Sequence, residues 1–278
     1  MHDSLSPSQR SLLERWLPGA TVVRDHSWGL VATTVLEVSR DGSRFIVKAG
    51  GADDHHIERE LHAHRHWLEP WTRIGRAPLL EYGDGDAKLI VTRYLPGRLV
   101  LDSDHASDPA VYRQAGELLA LFHGQTEIAD DDYEANENRK SFAWLDGPHR
   151  IAPETEHRLR SEIAAWPTPA TTLVPTHGDW QPRNWLIHDG MVSVIDLGRA
   201  AMRPALTDFA RLAAQQFRGH RELEAAFLDG YGVDPREPAA WHRESVRQAI
   251  GTAAWAHRVG ADDFEAQGHR MIVEALAA

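Results

Sequence analysis

The 278-residue chain changes periodicity at Pro96-Gly97, and that change limits what it can fold into. Before it lie five strand-like runs: Thr21 to Arg24, Thr33 to Val38, Arg44 to Ala49, Pro78 to Tyr82 and Lys88 to Tyr94. Asp41-Gly42 joins the second and third as a hairpin turn, and Gly83-Asp84-Gly85-Asp86 separates the last two. One helix, Ile57 to Leu68, interrupts the series with Ile57, Leu61, His64 and Leu68 on one face. Another precedes it: Ser6-Pro7-Ser8-Gln9 reads as a capping box, and Pro18-Gly19 ends that helix. Beyond Pro96-Gly97 the pattern is helical, over Val111 to His123, Glu154 to Trp166 and from Thr207 onward with a break at Gly230 to Pro238. The exception is an apolar hairpin, Trp185 to His188 and Val192 to Ile195, about Asp189-Gly190. The expected architecture is α+β: a small β-rich lobe with one inserted helix (residues 1–95), a hinge near 93–97, and a larger mostly helical lobe (residues 96–278).

Composition narrows the function classes. There is no cysteine, which excludes disulfides, zinc thiolates and a cysteine nucleophile. The net charge of -11 argues against a nucleic-acid partner and accommodates a cationic one. No run of about 18 apolar residues marks a membrane span, and the amphipathic start lacks the basic and apolar regions of a signal peptide. A cytoplasmic protein, monomeric or homodimeric and without membrane contact, is expected. Only Lys48, Lys88 and Lys140 are lysines among 30 basic residues, so each stands out.

The chemistry concentrates in His177-Gly178-Asp179-Trp180-Gln181-Pro182-Arg183-Asn184, followed by the hairpin and by Val194-Ile195-Asp196-Leu197-Gly198. Phosphoryl transfer asks for this combination. One carboxylate orients the attacking hydroxyl and takes its proton, while a carboxamide oxygen and a second carboxylate hold the metal that bridges the phosphates. The hairpin returns the chain so that Asn184 and Asp196 lie at the same end. Four fixed residues at this spacing arise by chance at about 10⁻⁵ per position.

These motifs resemble those of the aminoglycoside phosphotransferase family, which shares its bilobal fold with the protein kinases. The resemblance is sharpest from His177 to Ala210 and follows the order of elements over nearly the whole chain. It implies a kinase acting on an alcohol group, with Asp179 as catalytic base, Asn184 and Asp196 as magnesium ligands, and ATP as donor, GTP remaining open. Asp208, in Asp208-Phe209-Ala210, takes the place of a structural aspartate that braces the catalytic loop. The resemblance also implies a lysine in the third strand and a glutamate in the next helix. Lys48 in Phe45-Ile46-Val47-Lys48-Ala49 supplies the first, and Glu60 the second, with Glu58 as the alternative. Ser27 and amides near Gly29 are placed at the phosphates, and the backbone of Arg93 and Leu95 at the adenine.

For the acceptor side the expected residues are Trp180 and the acidic stretch Glu127, Asp130, Asp131, Asp132, Glu134 and Glu137, with Glu244, Asp262, Asp263 and Glu265 further along. The expected substrate is an aminoglycoside or other cationic antibiotic bearing a hydroxyl. The alternatives are a metabolite such as choline, homoserine or a sugar, and a nucleotide-binding pseudokinase, which the presence of Lys48, Asp179, Asn184 and Asp196 disfavours.

Overall fold

The computed structural model describes residues 4–27, 33–101 and 103–277. In chain order the helices are α1 (Pro7–Trp16), α2 (His56–His66), α3 (Glu69–Thr72), α4 (Pro109–His123), α5 (Tyr133–Asp146), α6 (Pro153–Ala165), α7 (Ala210–Ala214), α8 (Arg221–Tyr231), α9 (Pro238–Val259) and α10 (Asp262–Ala277). The strands are β1 (Thr21–Asp25), β2 (Thr34–Arg40), β3 (Ser43–Ala49), β4 (Leu80–Asp84), β5 (Leu89–Arg93), β6 (Arg98–Leu99), β7 (Ile128–Asp130), β8 (Thr171–Thr176), β9 (Trp185–His188), β10 (Met191–Val194) and β11 (Ala201–Arg203). The chain forms two compact units, one of residues 1–125, 175–201 and 221–232, the other of 126–174, 202–220 and 233–278.

In the first unit, β1 to β5 build an antiparallel sheet in the order β1-β2-β3-β5-β4. Asp41 and Gly42 both take positive φ, the geometry of a two-residue turn that matches strand twist. Side chains alternate across the sheet. Leu36, Val38, Val47, Leu89 and Val91 pack with Leu5, Leu13 and Leu17 around α1. Ile90, which pairs with Lys48, packs instead with Ile57 and Leu61 of α2. Thus Val47 and Lys48 part to opposite faces, and Lys48 emerges on the side of α2. The α1 capping box is formed as expected. Gln9, although buried, is satisfied by the carbonyls of Gly50 and Ala87, each at 2.9 Å.

A second small sheet in this unit, ordered β10-β9-β6, carries the expected hairpin and adds the two-residue β6, which pairs with Ile187 and Leu186. Beneath it lies an aromatic core. Trp71 stacks on Phe122 at 4.2 Å and on Trp180 at 5.7 Å, and Trp180 meets Trp185 at 5.5 Å. Helices α4 and α8 cross so closely that a Cβ on Gly116 would lie 2.1 Å from the Phe227 carbonyl, and one on Gly230 2.0 Å from that of Arg113. Only glycine fits either position.

In the second unit, α5, α6, α9 and α10 enclose Leu145, Ile151, Leu159, Ile163, Val246, Ile250 and Ile272. Helix α5 falls where the sequence shows only an acidic stretch. Its buried positions include Glu134, Asn138 and Ser141, so no apolar stripe marks it. Glu134 is held by Arg243 at 3.0 Å and Arg247 at 2.7 Å, and Arg247 also reaches Asn138 at 2.6 Å. An unpaired buried carboxylate would be costly; two guanidinium partners remove that cost.

Glu244 is different. Its side chain is buried, with Gln248 as a hydrogen-bond partner at 2.8 Å. Burial pushes its carboxyl up to about 7, against the pull of Gln248 and Arg247. The fold therefore binds this proton more tightly than the unfolded chain does. That contribution is complete below the usual carboxylate value and is lost as pH rises through about 7. Glu244→Gln is thus expected to melt with the wild type near pH 4, but several degrees higher (about 5 °C) at pH 8. Thermal unfolding at both pH values tests this; equal melting at pH 8 would refute it.

Candidate active site

The site residues of the first unit form a connected network. Lys48, on the α2 side of β3, donates to both oxygens of Glu60, at 2.8 and 2.9 Å, and to Asp196 Oδ1 at 3.0 Å. Glu60, rather than the exposed Glu58, is the partner in α2. Burial works against the lysine's charge, but Asp196 and then Glu60 outweigh it and hold the ammonium charged. Lys48 in turn keeps the Asp196 carboxyl well below the usual range. The Asp196 side chain remains half-exposed, whereas Glu60 is buried. Asp196 also takes a φ of 68°, a left-handed conformation that costs a non-glycine residue about 1 kcal/mol and that the ion pair helps to maintain.

Asp179 is buried at the foot of the loop after β8. The preceding Gly178 has a φ of 77°, which explains the glycine in His-Gly-Asp. The loop is fixed from several directions. Thr176 Oγ1 donates to the Ala201 carbonyl at 2.8 Å, and His177 Nε2 lies 3.1 Å from the Ile195 carbonyl. Asn184, on a 3₁₀ turn (Pro182–Asn184), donates through Nδ2 to the Asp179 carbonyl at 2.8 Å and to Asp179 Oδ2 at 3.0 Å. Its own carbonyl accepts from Ile195 N at 3.0 Å, one residue before Asp196. Asp179, Asn184, Asp196, Lys48 and Glu60 are therefore linked through short bonds.

Other contacts were not assigned from sequence. Gln181 Nε2 donates to Asp179 Oδ1 at 2.6 Å, and Arg183 Nη2 to Oδ2 at 2.6 Å. His56 Nδ1 lies 2.9 Å from the Gly198 carbonyl, tying the start of α2 to the segment after Asp196. Asp54 caps α2 through the amides of His56 and Ile57 and accepts from Thr33 Oγ1 at 3.0 Å. Gln181 and Arg183 lie inside the motif, so their position was readable although their contacts were not.

The remaining expected residues are placed as follows. Ser27 sits in a local turn: its amide donates to Asp25 Oδ1 at 2.8 Å, and its hydroxyl accepts from Val35 N at 3.0 Å. Gly29 lies outside the described residues. At the end of β5, the Arg93 amide donates to the Leu79 carbonyl at 2.8 Å while its side chain pairs with Glu81; Leu95 is half-buried just beyond. Trp180 departs from expectation. Its indole has no exposed surface and is enclosed by Trp71, Trp185 and His177, so it belongs to the core and cannot wall an acceptor pocket. Asp130, Asp131 and Asp132 belong to the second unit, on β7 and the turn into α5, with Asp131 and Asp132 exposed. Asp130 Oδ1 accepts from the Asp132 amide at 2.8 Å. Asp208 is buried on a 3₁₀ turn in that unit. Glu265 is buried there as well, and Arg150 binds it through Nε at 2.8 Å and through Nη2.

The arrangement of strands and helices is that of the kinase-like phosphotransferases. A thermostable mutant of aminoglycoside phosphotransferase APH(4)-Ia is 13% identical, with a TM-score of 0.71 over 97% of this chain and 98% of that one. Choline kinase LicA from Streptococcus pneumoniae is 16% identical, with a TM-score of 0.67 over 98% and 99%. Macrolide 2'-phosphotransferase MphH from Brachybacterium faecium is 18% identical, with a TM-score of 0.60 over 94% and 95%. No curated protein sequence matches the chain. The phosphotransferase enzyme family model matches residues 28–246, and the protein belongs to that family.

Proposed function

We propose that this protein transfers the γ-phosphoryl group of ATP to a hydroxyl of a small, cationic molecule, of which an aminoglycoside or related antibiotic is the leading class. The observation that carries the reading is the bonded network joining Lys48, Glu60, Asp179, Asn184 and Asp196 within one unit. Lys48, anchored by Glu60, holds the α- and β-phosphates, and the backbone of Arg93 and Leu95 receives the adenine, with Ser27 near the phosphates. Residues 1–95 would act as the nucleotide lobe and 96–278 as the catalytic and acceptor lobe. Nucleotide use is supported by an APH(4)-Ia complex containing ADP and hygromycin B.

The donor set fits Mg²⁺. Asn184 commits its Nδ2 to Asp179, which leaves its carboxamide oxygen as a hard ligand, and the half-exposed Asp196 supplies a carboxylate. When bound, the ion neutralises phosphate charge. Asp179 orients the acceptor hydroxyl in line with the γ-phosphorus and takes its proton. A cationic acceptor agrees with the net charge of -11. No helix among the described residues is long and apolar enough to cross a membrane, which agrees with a cytoplasmic enzyme; it would act as a monomer or homodimer without nucleic acid.

Measuring ADP release from Mg²⁺·ATP with aminoglycosides including hygromycin B, a macrolide, choline and homoserine tests this reading. Turnover with an aminoglycoside is expected. Turnover confined to choline or homoserine would replace the antibiotic reading with that of a metabolite kinase, and silence with every acceptor would favour a pseudokinase.

A further inference from the structure

Both oxygens of the Asp179 carboxylate accept bonds from side chains of their own loop. Oδ1 accepts from Gln181 Nε2 at 2.6 Å; Oδ2 accepts from Arg183 Nη2 at 2.6 Å and from Asn184 Nδ2 at 3.0 Å. Among these donors Arg183 stands apart. Gln181, Asn184 and Asp179 are buried, whereas the Arg183 side chain is 32% exposed. It is also the only cation among them.

We propose that Arg183 is a positioning residue for phosphoryl transfer, fixing the orientation of the Asp179 carboxylate through Oδ2. This rests on the kinase reading of the site. A carboxylate rotates easily about its last torsion, which has only a broad twofold preference. A short, charge-assisted bond restrains it far more firmly than a neutral one. A carboxylate oxygen offers two in-plane lone pairs, and those of Oδ2 are taken by Arg183 and Asn184. The carboxylate so held takes the acceptor proton. As it does, the acceptor oxygen bonds to the γ-phosphorus, the bond from phosphorus to the bridging oxygen breaks, and ADP leaves with that electron pair.

The test compares wild type, Arg183→Ala, Arg183→Lys and Asp179→Asn, using Mg²⁺·ATP with the acceptor that supports wild-type turnover. Arg183→Ala should lose about 30-fold in kcat, with KM for ATP and acceptor within about threefold of wild type. Its ADP affinity should be unchanged, and its melting temperature should fall by only a few degrees, since Asp179 keeps Gln181 and Asn184 as partners. Millimolar guanidinium chloride should recover part of the lost kcat in Arg183→Ala and none in Asp179→Asn. Arg183→Lys, which keeps charge but not the planar fork, should fall between wild type and Arg183→Ala. A merely structural role would raise KM and resist guanidinium. An active wild type with Arg183→Ala equal to it, or without guanidinium rescue, overturns the inference alone. A wild type inactive with every acceptor overturns the kinase reading, and this inference with it.

Discussion

Asp179→Ala is expected to lower kcat by about 10³-fold while the ATP dissociation constant stays within about threefold. The carboxylate acts on the acceptor hydroxyl, and the nucleotide contacts proposed for Lys48, Arg93 and Leu95 do not pass through it. The substitution also strips Gln181, Arg183 and Asn184 of a shared acceptor, and two of those donors are buried. Some stability should therefore be lost as well, since each unpaired buried donor costs about 1–3 kcal/mol. Asp179→Asn separates the effects, because it keeps the volume and one acceptor oxygen but no basic group. Kinetics on both variants, with a fluorescent nucleotide titration, decide the matter. If either kept most of the wild-type kcat, Asp179 would not be the base.

Asp196→Ala should behave differently, losing turnover and metal-dependent nucleotide binding together. Wild-type affinity for ADP should rise on adding Mg²⁺, and in the variant it should not. Lys48 would keep Glu60 as a partner at 2.8 Å, so no buried cation is orphaned and the fold should survive. Calorimetric titration of ADP with and without Mg²⁺ is the measurement. A variant that retained the Mg²⁺ enhancement would show that the ion is held elsewhere.

Much of this site was legible because its geometry is local. His177 to Asn184 lie on one loop, and the Asp189-Gly190 turn brings Ile195 back beside Asn184, so spacing alone predicts their approach. Lys48 and Glu60 followed instead from the family resemblance, which implies a lysine in the third strand and a glutamate in the next helix, and the two meet at 2.8 Å. The contacts of Gln181 and Arg183 were hidden although the residues were in view, because a loop's side-chain directions depend on φ values such as that of Gly178. Helix α5 was missed because its buried face carries Glu134, Asn138 and Ser141, which read as a solvated stretch until Arg243 and Arg247, more than a hundred residues later, supply the partners. Trp180 was misjudged for the converse reason. A tryptophan inside a catalytic motif looks functional, and only packing against Trp71 and Trp185 shows it to be core.

By itself, the sequence determined most element types, the sheet-then-helix order and the motifs that make up the candidate site, because periodicity, turn residues and motif spacing are properties of neighbouring residues. Tertiary structure alone decided that Lys48 reaches Asp196 across 148 positions and that both Asp179 oxygens are clamped. These are pairings of charges brought together by burial of the surrounding apolar side chains. Their partners are chosen by distance in space, which no local pattern encodes.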